Sequence, residues 1–219
     1  MKSVEDKVYA NAGNPEVLSW VPAHCRTVLD VGCGAGDNAR ILADRGCIVD
    51  GLTLSPEEAV LAESVCRKVY VCNLEAGLPA DLPQQYDAVI CSHVLEHICF
   101  PSKLLTDIRE RLTDDGCLIV ALPNLLWWKN RLRLLTGNFR YTEAGIMDRT
   151  HFRWYTFETG RELFEEHGFS RVTAEVDGEF PCGPIRRCFP KPMQRRMDAW
   201  ATKHWPGLFG YQLLYTVRR

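Results

Sequence analysis

Val28-Leu-Asp-Val-Gly-Cys-Gly-Ala-Gly-Asp37 decides how this chain is read. Residues 26–31 form a short run rich in β-branched side chains. Three glycines follow at alternate positions (Gly32, Gly34 and Gly36), and Asn38 to Arg45 has a helical pattern. Glycine lets a chain turn tightly with positive φ, and it removes the Cβ that would hold a ligand off the backbone. A strand running through such a turn into a helix opens a doubly wound α/β fold, whose ligands sit beyond the carboxyl ends of its strands.

Outward from this turn the same alternation repeats. Strand-like runs occur at 47–54, 69–72, 86–91, 117–122, 170–176 and 212–217. Between them lie helical patterns opened by Ser55-Pro56-Glu57-Glu58, by Ser102 and by Thr156. Ser55 is expected to cap, with Pro56 at the first helical position and Glu58 closing a capping box. Asn14-Pro15-Glu16 reads as another helix start. Strands alternating with helices predict a mostly parallel, seven-stranded sheet covered on both faces. Residues 124–155 break the rhythm with Trp, Arg and Tyr, and are expected to form a lid after the fifth strand. The chain is read as one domain, 1–219, with a cap over 1–24 and a basic insertion over 177–208.

Composition narrows the function. The 219 residues are 46% hydrophobic and 25% charged, with a net charge of -2. That balance suits an ordinary soluble domain and gives no overall attraction to nucleic acid. The N-terminus is charged and lacks an apolar signal core, and no stretch approaches the ~20 apolar residues of a membrane span. A cytoplasmic location is expected. The ten cysteines include no Cys-x-x-Cys pair and no zinc-ligand spacing, so they are read as reduced structural thiols.

The string from Asp30 to Gly36 resembles motif I of class I S-adenosylmethionine-dependent methyltransferases. Nicotinamide-binding folds space their glycines G-x-G-x-x-G, a pattern this chain lacks. The resemblance implies a Rossmann-like fold, S-adenosyl-L-methionine as cofactor and S-adenosyl-L-homocysteine as product. It also implies that Gly32, Cys33, Gly34 and Gly36 lie against the cofactor while Asp30 orients its ammonium group. After the second strand, Thr53 and Leu54 stand where the family places a ribose-binding acid. Thr-Leu-Ser also occurs there in enzymes similar to cyclopropane fatty acid synthases. After the third strand, Asn73 and Leu74 stand where an acid meets the adenine amino group. Ser92 and His93 are expected at the cofactor–acceptor junction.

Val94-Leu-Glu-His-Ile98 looks like the segment following the fourth strand in small-molecule and lipid-quinone methyltransferases. Glu96 and His97 resemble part of a metal cluster in RNA-end methyltransferases. No further ligands are apparent, so no metal is expected. Three further strings, Leu122-Pro-Asn124, Tyr141 to Thr156 and Trp205 to Gln212, resemble a bacterial subgroup linked with cell-surface glycan or secondary-metabolite pathways.

In the expected lid, His151 has the pKa range of a proton acceptor, and Asp148 is placed to orient it. A structural Asp–Arg–His network is the alternative. Arg149 and Arg153 can hold an acidic acceptor, and Trp127, Trp128 and Tyr141 can line its pocket; core packing accounts for the aromatics equally well. Beyond Glu179, Arg195, Arg196 and Lys203 interleave with Met193, Trp200 and Trp205. This is either a solvated helix face or a peripheral contact with a membrane or lipid-linked acceptor. Methyl transfer to oxygen, less readily to nitrogen or carbon, of a small molecule, sugar or natural product is expected. The alternative is a catalytically inactive S-adenosylmethionine-binding partner.

Overall fold

The structure is a computed structural model that describes residues 13–219 apart from Gln84. The first twelve residues of the expected cap lie outside the described residues. Seven strands form one sheet: β1 (Thr27–Val31), β2 (Ile48–Thr53), β3 (Lys68–Val71), β4 (Tyr86–Ser92), β5 (Leu112–Pro123), β6 (Ser170–Gly178) and β7 (Gly210–Arg218). Their order is β3-β2-β1-β4-β5-β7-β6. The first five are parallel, while β7 runs antiparallel to both β5 and β6.

Alternation along each strand feeds two cores. Leu29, Val31, Val89, Cys91, Leu118 and Val120 face one side, beneath α4 (Pro101–Arg111) and α6 (Phe157–Glu166). Val28, Ala88, Ile90, Cys117 and Ile119 face the other, with α1 (Pro15–Ser19) and α2 (Asp37–Asp44). The remaining helices are α3 (Pro56–Ala62), α5 (Trp128–Leu135), α7 (Lys191–His204) and α8 (Pro206–Phe209). No helix among the described residues is long and apolar enough to cross a membrane. All ten cysteines are free.

Local chemistry accounts for the helix starts. Asn14 caps α1 and Thr156 caps α6, the latter in a capping box with Thr159. At α3 the Ser55 hydroxyl accepts from the Glu58 amide at 3.3 Å. The Glu58 carboxylate accepts from the Thr53 hydroxyl at 2.6 Å. The Ser55 amide donates to Thr53 Oγ1 at 3.2 Å. The half of the expected box that needed the Glu58 side chain is therefore replaced by a link to the end of β2.

Sequence order along the sheet reverses between β1 and β4. Their carboxyl ends, at Val31 and Ser92, flank the crevice in which open α/β sheets bind ligands.

Candidate functional site

Gly32, Gly34 and Gly36 all adopt positive φ, at 76°, 52° and 86°. A Cβ on Gly32 would lie 2.5 Å from Val94 Cγ2, and one on Gly36 would lie 2.7 Å from Val65 Cγ2. Backbone conformation and packing both demand glycine here. The turn delivers the chain into α2, with left-handed Gly36 as N-cap.

Beneath the turn, Asp30 is fully buried on β1. Neither of its oxygens has a hydrogen-bond partner among the described residues. Burial pushes its carboxyl up to about 7, with the Asn38 amide nearby partly favouring the charged form. An unpartnered buried carboxylate is costly, and it fits a site that takes a cationic or hydrogen-bond-donating ligand. Cys33 is buried within the turn. Its amide donates to the Leu52 carbonyl at 2.8 Å, and its thiol lies against Gly51 and Cys66. It holds the turn to β2.

At the end of β2, Thr53 is buried and its hydroxyl bonds Glu58. Glu58, itself buried, thus brings a carboxylate to the position where the sequence shows only a threonine. Leu54 is 39% exposed at the rim. Beyond β3, Asn73 Oδ1 accepts from the Glu75 amide at 3.0 Å and caps a 3₁₀ turn beginning at Leu74, which packs on the core. Beyond β4, the Ser92 hydroxyl accepts from Asn14 Nδ2 at 3.2 Å.

His93 follows at φ 57°, a left-handed conformation that an L-residue keeps only where its surroundings enforce it. Its ring is 42% exposed and bridges two partners. Nε2 lies 2.7 Å from Gln212 Oε1 on β7, and Nδ1 lies 3.2 Å from Glu96 Oε1. Asn14 Nδ2 also donates to Gln212 Oε1, at 2.9 Å. Burial opposes the charged ring, but the bonds to Glu96 and Gln212 outweigh it and raise the pKa.

Glu96 joins a second cluster. Ligand atoms of Glu96, His97 and His151 lie within 4.8 Å of one another. Glu96 is fully buried, and its Oε2 has no partner among the described residues. His97 Nδ1 lies 3.2 Å from the Thr150 carbonyl, and His151 Nδ1 lies 3.2 Å from the Ile146 carbonyl. Each ring can donate from Nδ1 and keep its Nε2 lone pair. Metal-binding histidines are commonly oriented in this way. The trio can therefore hold a divalent cation; His151 supplies a further candidate ligand that the sequence did not place beside Glu96 and His97. Burial lowers the His151 pKa, only partly offset by the Glu96 charge, and so favours neutral imidazole.

The lid follows β5 and carries His151 back. The amides of Phe152 and Arg153 both donate to the Glu96 carbonyl, at 2.9 and 3.1 Å, and the Leu125 amide donates to the Tyr155 carbonyl. Asp148 Oδ1 accepts from the Thr150 amide and hydroxyl, at 2.9 and 2.7 Å. The His151 ring meets the Ile146 carbonyl through Nδ1, and the Asp148 carbonyl accepts from the His151 amide at 3.1 Å. Arg149 pairs with Glu143, and Arg153 Nε donates to the Cys99 carbonyl at 2.7 Å. Both arginines serve lid structure in this conformation. Trp127 meets Trp128 and Tyr211 edge-on, and Lys129 Nζ sits 4.4 Å from the Trp127 ring centre. Tyr141 packs with Phe139 and Trp154 in a separate cluster.

A profile described as a methyltransferase domain matches residues 10–174. The chain belongs to the class I, S-adenosylmethionine-dependent methyltransferase family. Among curated proteins, this methyltransferase is 30% identical over 127 residues to a ubiquinone biosynthesis O-methyltransferase of Paraburkholderia xenovorans (strain LB400). It is 36% identical over 120 residues to the protein of that name from Azoarcus sp. (strain BH72). Each alignment covers 51% of this chain and 52% of the relative, so the chain spans about half the length of the curated relatives it matches. Among solved structures, a SAM-dependent methyltransferase from Archaeoglobus fulgidus superposes with a TM-score of 0.66 at 19% identity, covering 94% of this chain and 90% of that one. Magnesium protoporphyrin IX methyltransferase from Synechocystis PCC 6803, solved with bound SAH, gives 0.54 at 18% identity, covering 94% and 81%. These two likenesses concern the fold.

Sequence reading of the methyltransferase missed Glu58, Gln212 and Asn14. Glu58 carried a signal, since an acid in the first turn after β2 can reach back to the strand end. Gln212 carried none: it lies 119 residues from His93.

Proposed function

We propose that this chain transfers a methyl group from S-adenosylmethionine to an oxygen, less readily a nitrogen or carbon, of a small acceptor such as a phenol, a sugar or a natural product. The observation that carries the reading is the buried, unpartnered Asp30 carboxylate under a left-handed glycine turn at the switch point of the sheet. Oxygen is favoured because the curated relatives are named O-methyltransferases.

When bound, the cofactor supplies an electrophilic methyl group on a positively charged sulfur. Asp30 takes the ammonium of its amino-acid portion. Gly32, Gly34 and Gly36 admit its backbone-facing side, and Glu58, held by Thr53, takes a ribose hydroxyl. Leu54, Asn73 and Leu74 border the adenine. Ser92 and His93 stand at the junction, with His93 fixed by Glu96 and Gln212. His151, neutral and with Nε2 unprotonated, removes the hydroxyl proton of the acceptor; general bases of this kind contribute ~10²–10⁴-fold. Trp127, Trp128 and Tyr141 wall the acceptor, and Arg149 can exchange Glu143 for an acidic group on it. Along α7, Met193, Trp200 and Trp205 are 46–50% exposed beside Arg195, Arg196 and Lys203, which supports peripheral contact with a membrane-borne acceptor.

The Glu96, His97 and His151 cluster favours a second reading of the same step. Glu96, His97 and His151 would together hold a divalent cation, which would supply Lewis-acid activation of a hydroxyl in place of a base. Calorimetry with S-adenosylhomocysteine tests cofactor binding, with Asp30→Ala expected to abolish it. A methyl-release assay on phenolic and sugar acceptors, with and without chelator, tests the chemistry. A folded protein that shows no heat with the cofactor product at millimolar concentration sinks the proposal. Binding without turnover on any acceptor supports an inactive, regulatory protein instead.

A further inference from the structure

The lid contains a cavity of about 200 Å³ away from the glycine turn, lined in part by Asn130, Arg133, Asn138, Arg140, Thr142 and Met147. Complete small-molecule sites typically occupy ~300–1,000 Å³, so this one suits a single functional group. Its polar lining is rich in donors. Arg133 and Arg140 bring two guanidinium groups, neither in an ion pair or hydrogen bond through its side chain among the described residues. Asn130 is only 4% exposed, and its Nδ2 has no partner among the described residues. Among the described residues no carboxylate lines the cavity, and the nearby acid, Glu143, is paired with Arg149. The Thr142 hydroxyl donates to the Ala144 carbonyl at 2.8 Å.

We propose that Asn130, Arg133 and Arg140 form an oxyanion subsite that holds a phosphate or carboxylate group of the acceptor, apart from the atom that is methylated. Two cations and a buried amide donor line a space to which the described residues bring no acid, and planar guanidinium groups match such oxyanions bidentately. Asn130 follows Trp127 and Trp128 on α5. Met147 precedes Asp148 in the strap that returns to His151, and Thr142 and Asp148 are bridged across that strap. An anion held here would tie α5 to the strap and fix the lid beside the reaction centre. The subsite deepens the methyl-transfer reading, on which its role as an acceptor site rests; anion binding itself does not require that reading.

The test uses the full chain, titrated by calorimetry with inorganic phosphate, pyrophosphate and acetate, and separately with S-adenosylhomocysteine. Saturable binding of at least one anion is expected, and preference between the phosphates and acetate identifies the group. Arg133→Ala and Arg140→Ala should each weaken it by roughly tenfold or more, as expected for loss of a charge-assisted bond. Asn130→Asp should abolish it by adding a like charge. Arg40→Ala with Arg171→Ala, exposed on α2 and β6 respectively, controls for lost net charge and should leave it unchanged. S-adenosylhomocysteine binding should persist in both lid arginine variants, which also confirms that they fold. No saturable response at ten millimolar, or an undiminished response in the Arg133→Ala, Arg140→Ala double variant, overturns the subsite. Anion binding without any S-adenosylhomocysteine binding would overturn the methyltransferase reading and leave the subsite standing.

Discussion

Replacing Asp30 with asparagine should stabilise the ligand-free protein at pH 8 and weaken its grip on the cofactor. Asp30 is raised from an ordinary 3.8 to about 7 by burial. At ~1.4 kcal/mol per tenfold, charging it inside the fold costs ~4 kcal/mol more than in the unfolded chain. The sign follows from proton counts. Between pH 4 and 7 the folded protein keeps a proton that the unfolded chain has released, so stability falls as pH rises through that window and levels off above it. The neutral amide of the Asp30→Asn variant carries no such dependence. The variant should therefore gain on wild type by ~2.6 kcal/mol between pH 5 and pH 8, or ~5–10 °C in melting temperature for a chain of this size. Thermal melts at both pH values, with and without S-adenosylhomocysteine, measure it. In wild type the ligand ammonium should offset the charge, and ligand affinity should rise between pH 6 and 7.5. A stability gap between variant and wild type that is the same at pH 5 and pH 8 would falsify the view that the carboxylate is held at a cost for a ligand.

Other substitutions separate packing from binding. Gly32→Ala adds a Cβ 2.5 Å from Val94 at φ 76° and should cost ~2–4 kcal/mol by denaturant titration. Gly137→Ala, at φ 72° with open space around it, should cost only ~1–2 kcal/mol; equal losses would show that the Val94 contact is irrelevant. Glu58→Gln should weaken S-adenosylhomocysteine binding by about tenfold, since hydrogen bonds to charged groups contribute ~1.5–3 kcal/mol. Calorimetry that finds Thr53→Val more harmful than Glu58→Gln would reassign the ribose contact. His151→Asn should reduce turnover by ~10²-fold or more while S-adenosylhomocysteine affinity holds. Elemental analysis beside that assay distinguishes base from ligand: bound zinc, manganese or iron lost from the variant supports the cation, and its absence from active wild type excludes one.

The parallel core was legible because each strand and its helix are neighbours in sequence, and turn, cap and apolar period can be read locally. Strand direction was not. The two-residue period of 212–217 is the same whichever way the strand runs, and only the register with β5, from Cys117 opposite Arg218 to Pro123 opposite Gln212, shows that β7 is antiparallel. The glycine turn was legible because its residues are contiguous. The burial of Cys33 inside that turn was not legible, because its thiol packs against Gly51 only once β2 is in place. The Glu96–His97–His151 group was out of reach because the lid must first fold back onto the Glu96 carbonyl. Asp148 illustrates a subtler limit. Spacing brought it close to His151, but the turn directed its Oδ1 to Thr150.

That return of the lid has an evolutionary consequence. The Leu125–Tyr155 bond and the two amides on Glu96 fasten both ends of the insertion at its base. Length changes between those moorings carry a small entropic penalty, ~0.6 kcal/mol per doubling. New acceptor preferences can therefore arise by exchanging this one segment while the nucleoside-facing half of the molecule is inherited intact.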